Sequence, residues 1–295
     1  MKIGVLIGSI TGNTEHLGNQ IIKKLQDLDG TLKFDTLMIN QEMNKMNTTE
    51  QYEYPNYDAY VVGTYTDFLS IPILVRQYFE KMPPTHIKNK LVLTFSTHGF
   101  TTGHTGQALQ QLLISMGAKP ISHIVTKYPD NYVHLPFILP LYLKKVQKNS
   151  DPEFDSKCIQ FVNTLKSGKF PEITTKYNSK NVSKDVQRQK KQVKDHFIVQ
   201  DSCVGCGTCV ENCPSAIISL KDGKAVFTEQ DKCVGCYACF QKCPVNAVVD
   251  EKKTLVNKLQ YKYDNSYIVE KPKSNFMFKA IIFVTFMMLT VMLLK

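Results

Sequence analysis

Apolar runs alternate with amphipathic stretches through the first 170 residues. The runs at 2–8, 33–38, 59–64, 90–96 and 120–126 are apolar-rich and strand-like, which predicts strands. Between and after them, residues 14–28, 72–82, 105–117 and 152–167 carry a helical period. Strand–helix alternation of this kind predicts a parallel α/β sheet, doubly wound, with helices on both faces. The pattern then breaks. Residues 169–195 are polar, rich in lysine and interrupted by Pro171, which reads as a connector; a flexible chain of that length spans roughly 30 Å. Val182, Val186 and Val193 can line one face of a short helix within it. At the far end, residues 276–294 are apolar except for Lys279 and two threonines.

Between these regions the chain repeats itself. Cys203-Val204-Gly205-Cys206 recurs as Cys233-Val234-Gly235-Cys236, while Cys209 and Cys213-Pro214 recur as Cys239 and Cys243-Pro244, with a period of 30 at every cysteine. Each half spells C-x2-C-x2-C-x3-C-P. Thiolates are soft ligands suited to iron, and two-residue spacers let one short loop present three sulfurs to one cluster while the fourth, before proline, points elsewhere. The expected ligand sets therefore cross over: Cys203, Cys206, Cys209 and Cys243 for one [4Fe-4S] cluster, and Cys233, Cys236, Cys239 and Cys213 for the other. Zinc and disulfides are the competing readings, but zinc sites usually pair cysteines across a longer loop. Gly205, Gly207 and Gly235 fit loops whose backbone comes close to inorganic sulfide, and serve equally as ordinary turn residues.

A second motif follows the first strand. Ser9-Ile10-Thr11-Gly12-Asn13-Thr14 leads into a helix, and hydroxyls with backbone N–H groups at a helix N-terminus suit a phosphate dianion. There is no Walker lysine and no G-x-G-x-x-G, which disfavours ATP and NAD(P) and favours the phosphate of flavin mononucleotide. A plain helix cap is the alternative. Two more loops leave strand ends at the same edge: Thr64-Tyr65-Thr66-Asp67-Phe68, and Thr97 through His98, Gly99, Phe100, Thr101 and Thr102 to Gly103. Tyr65, Phe68 and Phe100 are candidates to stack on an isoalloxazine ring, with core packing as the alternative for each. His98 and His104 lie near that edge, and Cys158 is expected to be a packing residue.

The cysteine segment, about 60 residues, resembles the bacterial-type two-[4Fe-4S] ferredoxins, which implies one-electron outer-sphere transfer. Residues 1 to about 168 look like a flavodoxin-like domain, and Tyr128-Pro129-Asp130-Asn131-Tyr132 looks like the loop after the fifth strand in that family. The order of the two parts resembles the flavodoxin–ferredoxin fusion proteins of anaerobic prokaryotes and protists. The expected organisation is a flavodoxin-like FMN-binding domain at 1–168, a basic linker at 169–196, a small α+β ferredoxin domain at 197–252, a polar connector at 253–275 and a transmembrane tail at 276–294. Two [4Fe-4S] clusters and FMN are the expected cofactors.

Charge refines this picture. The net charge is +10, but residues 176–196 hold seven Lys/Arg against two Asp/Glu and residues 256–295 hold six against two, so both domains are near neutral. A nucleic-acid reading needs a basic folded face that this distribution does not supply. Ala280 to Leu294 carry no charge, and from Phe276 the stretch has one lysine; at 1.5 Å per residue the two lengths are about 22 and 28 Å, against about 30 Å of bilayer hydrocarbon. Lys271, Lys273 and Lys279 precede the stretch and only Lys295 follows, which predicts a single-pass tail anchor with the redox domains on the cytoplasmic or matrix side. The N-terminal run is too short for a signal peptide, and eight thiols at ligand spacing predict a reducing compartment.

The expected function is a membrane-anchored electron carrier relaying electrons between the clusters and FMN, exchanging them with partner redox proteins. Two alternatives differ from it: an FMN-dependent reductase of a small or lipid-soluble acceptor fed through the clusters, and an interaction protein whose flavodoxin-like domain is flavin-free. No dinucleotide-binding unit for NAD(P)H is visible.

Overall fold

The computed structural model describes residues 1–128, 151–170 and 196–252, the positions 184, 186, 187 and 189, and two short strands further on. Five strands, β1 (Lys2–Ile7), β2 (Lys33–Met38), β3 (Ala59–Tyr65), β4 (Leu91–His98) and β5 (Lys119–Lys127), form one sheet in the order β2-β1-β3-β4-β5. All four pairings are parallel. This is the flavodoxin-like order, whose ligand crevice opens outside the carboxyl ends of the strands at the β1/β3 switch point. The central strands are buried on both faces, which is why they read as largely apolar runs, with Thr64, Thr94, Ser96 and Thr97 as buried polar exceptions.

Helices cover both faces: α1 (Asn13–Leu28) and α5 (Phe154–Ser167) on one side, α2 (Ile39–Thr48), α3 (Ile73–Lys81) and α4 (Thr105–Ser115) on the other. Leu17, Ile21 and Leu25 of α1 meet Cys158, Phe161 and Val162 of α5 in one core, with Phe95 among them. Cys158 is fully buried there, and burial pushes its thiol up to about 12, as a packing residue requires. The other core holds Ile39 and Met43 with Tyr60, Tyr78 and Phe79.

The cysteine segment folds as two similar loops. They are flanked by the strand pair β6 (Phe197–Val199) and β9 (Val248–Asp250) and by the hairpin β7 (Ile218–Lys221) to β8 (Lys224–Phe227), all antiparallel. The hairpin turns on Asp222-Gly223, both at positive φ, as a two-residue type I′ connection requires. One short helix follows each loop, α6 (Thr208–Glu211) and α7 (Ala238–Lys242).

Three sequence expectations change. The periodicity reading passed over α2, because INQEMNKMNT has only three apolar residues; Ile39, Met43 and Met46 nevertheless recur at the helical spacing. Among its described residues the basic linker is fastened by Gln189, which is buried and whose Nε2 donates to the carbonyls of Asp67 and Ile71 at 3.0 and 2.9 Å. The polar connector contains an antiparallel pair, β10 (Leu259–Tyr261) with β11 (Tyr267–Val269). Residues 129–132 and the apolar stretch 276–294 lie outside the described residues. Among those described, no helix is long and apolar enough to cross a membrane.

Candidate metal centres and cofactor loops

Two cavities lie in the cysteine module. One is lined by Cys203, Cys206, Cys209 and Cys243, the other by Cys213, Cys233, Cys236 and Cys239, so the fourth thiol of each half reaches the opposite cavity. They hold about 330 and about 300 Å³ of space, part of it shared with solvent. All nine cysteines are free thiols. A zinc site draws four ligands to one atom, usually from cysteine pairs across a longer loop. Eight thiols spread around two cavities instead suit polynuclear clusters.

Burial raises Cys209, Cys213, Cys236 and Cys239, and neighbouring sulfurs add to it at Cys209, Cys236 and Cys239, whereas the exposed Cys206 is lowered by its hydrogen bond with Thr208. Cys209 is pushed up to about 11, first by burial and then by Cys243, Cys203 and Cys206. Burial also lifts Cys236 and Cys239, with Cys233 and Cys213 as their sulfur neighbours. Iron bound at these positions would take the place of the protons, since a coordinated thiol is deprotonated. Backbone N–H groups already point at sulfur: Ala247 donates to Cys243 Sγ at 3.2 Å and Gly235 to Cys233 Sγ at 3.4 Å, contacts of the type that tune cluster potentials. At Gly205, φ is +64° and a Cβ would stand 2.3 Å from the carbonyl oxygen of Gly223. The hairpin backbone, as well as any cluster sulfide, therefore demands glycine there.

The three loops of the sheet edge also come together. Thr14 Oγ1 lies 2.8 Å from Thr97 Oγ1, in a buried contact joining the first loop to the end of β4. Thr66 N–H donates to the Thr97 carbonyl at 2.8 Å, and Thr105 Oγ1 donates to Thr66 Oγ1 at 3.0 Å. Within the first loop, the hydroxyl of Ser9 accepts the N–H of Gly12, and Ser9, Thr11, Asn13 and Thr14 are all buried. Helix α1 begins at Asn13 behind Gly12, a left-handed glycine that has no side chain to cap it. The N-terminus of this 16-residue helix adjoins the loop, the place where backbone N–H groups lack intrahelical partners.

The second loop makes a tight turn, Asp67 and Ser70 exchanging backbone hydrogen bonds of 2.8 and 3.0 Å while Phe68 and Leu69 both take positive φ. Such residues cost about 1–3 kcal/mol each, and strain of this sort gathers at ligand sites. Gly103 (φ +51°) permits the closure, for a Cβ there would stand 2.3 Å from the Leu69 oxygen. Phe100 is 85% exposed, so it is a surface ring and core packing does not explain it. Tyr65 and Phe68 are half-buried. Burial pushes the Asp67 carboxyl up to about 7. His98 is half-buried and lowered, by burial and then by Lys127.

The 4Fe-4S dicluster domain family matches residues 184–247. The chain joins a flavodoxin-like fold to a dicluster ferredoxin module. The matched region begins upstream of 197 and includes the Gln189 tether. Iron–sulfur clusters are the cofactor of such a module, and one-electron transfer is their chemistry. Among curated proteins none matches. Solved structures that match include a flavodoxin from the domain Archaea (15% identity, 56% of this chain and 99% of that one, TM-score 0.39). Others are flavodoxin 1 from Bacillus cereus (16%, 57% and 98%, 0.37) and the rubredoxin oxygen:oxidoreductase of the anaerobe Desulfovibrio gigas (15%, 56% and 36%, 0.39). At this degree of similarity the flavodoxin-like assignment rests on the strand order.

Proposed function

We propose that this chain is an electron carrier in which two [4Fe-4S] clusters, held in the two thiol cavities, exchange electrons with FMN at the sheet edge. The observation that carries the reading is the sorting of eight thiols into two crossed sets of four. The thiols fit the clusters in number and softness. The edge loops fit a flavin phosphate: buried hydroxyls of Ser9, Thr11 and Thr14, the adjoining N-terminus of α1 and no lysine in the loop. When bound, the clusters supply one-electron steps and the flavin one- or two-electron steps.

The chain's own part is positioning. Cysteines from both halves hold each cluster, Thr14 and Thr97 lock two flavin loops together, and the exposed Phe100 with Tyr65 and Phe68 offers faces for the ring. The apolar stretch 276–294 serves as a tail anchor, keeping the redox domains on the cytoplasmic or matrix side, and partners there donate and accept the electrons. Anaerobic purification with iron, sulfide and flavin quantitation tests the proposal: eight irons, eight sulfides and one FMN per chain are expected. Four irons after full reconstitution overturn the two-cluster reading, and a colourless apoprotein that refuses added FMN overturns the relay. Deleting 276–295 releases a soluble protein that retains its cofactors; a full-length protein stripped from membranes by salt alone overturns the anchor.

A further inference from the structure

Helix α2 carries two stripes with the same spacing. Ile39, Met43 and Met46 face the core of the sheet, and Asn40, Asn44 and Asn47 face the cysteine module. The Asn44 amide donates to two carbonyls, Val210 at 3.0 Å and Cys213 at 2.8 Å. Asn47 Nδ2 donates to the Pro214 carbonyl at 2.7 Å. Asn40, fully buried, donates to Asn212 Oδ1 at 3.1 Å, and the same oxygen accepts from Lys242 Nζ of α7 at 2.9 Å. All these acceptors fall within residues 210–214. That is the end of α6, where the Val210 carbonyl also accepts the Cys213 N–H at 3.3 Å, and the Cys-Pro step that carries a thiol to the opposite cavity.

Apolar contacts point the same way. Ala238 is fully buried in the core of the sheet domain, and Val234 and Cys236 pack against it beside Tyr65. Cys236 lies within electrostatic reach of Tyr65, and Lys242 within reach of Glu15 in the first turn of α1. The cavity of Cys213, Cys233, Cys236 and Cys239 is thus pressed against the edge that carries the flavin loops. The other cavity faces away: Cys206 is exposed, and its flanking Val204, Leu220 and Val245 are 64%, 47% and 37% exposed.

We propose that Asn40, Asn44 and Asn47 form a docking strip that seats the Cys213/Cys233/Cys236/Cys239 cradle on the Tyr65 edge as an inner station, leaving the Cys203/Cys206/Cys209/Cys243 cradle as the outer, solvent-facing one. The assignment rests on the proposed relay, and it makes these asparagines positioning residues. Outer-sphere transfer falls steeply with distance, so the order of stations sets the order of electron flow.

The test uses the full-length, anaerobically reconstituted protein. Brief ferricyanide oxidation is followed by iodoacetamide labelling of the freed thiols and peptide sequencing by mass spectrometry. Cys203, Cys206, Cys209 and Cys243 are expected to label at least ten-fold faster than the other four, with Cys213 staying protected although it lies on the same peptide as Cys209. In Asn44→Ala/Asn47→Ala the iron content is expected to hold, the difference between sets to narrow, and amide exchange over residues 39–48 and 208–214 to rise at least ten-fold. Equal labelling of both sets, or labelling of the Cys213 set first, overturns the proposal, as does unchanged exchange in the variant. Single Asn47→Ala serves if the double variant fails to assemble. Flavin is quantified in the same samples: a flavin-free protein with the labelling order intact overturns the relay and upholds the docking.

Discussion

The two halves of the cysteine repeat have nearly the same backbone and different surroundings. Gly205 and Gly235 sit at φ +64° and +65°, Ala216 and Asn246 at +52° and +54°, and Gly207 and Tyr237 are both left-handed residues preceding a short helix. Val204 is 64% exposed, whereas its counterpart Val234 packs on the core of the neighbouring domain. Thr208 is half-buried, whereas Ala238 is completely buried. Local chain chemistry makes two like cradles, and tertiary contact makes them unequal. Tyr237 shows the cost of the distinction: it takes a left-handed conformation that glycine fills in the first half, and its ring meets Phe197 edge-on at 5.9 Å.

The largest expected effect tests the crossing of the halves. Cys243→Ala should abolish the cluster otherwise held by Cys203, Cys206 and Cys209, and Cys213→Ala the other, each removing about half of the iron. Iron assay with electron paramagnetic resonance checks this, and loss of the cluster nearer in sequence would reject the crossed sets.

Next comes the sheet edge on which the inner half rests. Ser9→Ala with Thr14→Ala is expected to weaken FMN binding by roughly ten-fold or more per hydroxyl, taking about 1.5 kcal/mol for a charge-assisted hydrogen bond, while both cluster signals persist. Fluorescence titration of the deflavinated protein measures it. Loss of a cluster in this variant would show that edge and inner cradle are one folding unit.

A smaller effect follows from Asp67 on the same edge. Burial raises its folded pKa from 3.8 to about 7, so the folded state resists ionisation that the unfolded chain undergoes freely. The associated stability is complete below about pH 4, declines as pH rises towards 7, and is level above that. Asp67→Asn should flatten this decline in melting temperature between pH 4 and 7; an unchanged slope would assign it to other groups. The smallest effect compares the halves directly. Val234→Ala should cost about 1 kcal/mol in thermal unfolding, as a partly buried methyl pair does, and Val204→Ala less than about 0.5 kcal/mol. Equal costs would remove the distinction between inner and outer loops.

Much of this was legible along the chain, for definite physical reasons. Strands buried on both faces are mostly apolar, so β1, β3 and β4 announce themselves, and C-x2-C-x2-C-x3-C-P is local geometry written as spacing. Helix α2 was not legible by its apolar content, because its second stripe buries amides against carbonyls of another module, and a row of asparagines looks like solvent-facing polarity until its acceptors are known. Gln189 hides in the lysine-rich linker for the same reason. The first-loop motif also did not show that Ser9 accepts the Gly12 N–H within its own loop, or that Thr14 meets Thr97, a partner 83 residues away.

The sequence alone determined the strand–helix alternation, the two cysteine runs and the hydroxyl-rich loop after the first strand, since each depends on residues within a few positions of one another. Which cradle lies inside, which linker residue is tied down and which hydroxyls meet across the sheet edge were decided by tertiary structure. Those contacts join residues up to 172 positions apart through polar groups, and the value of a polar group depends on its partner rather than on its place in the chain.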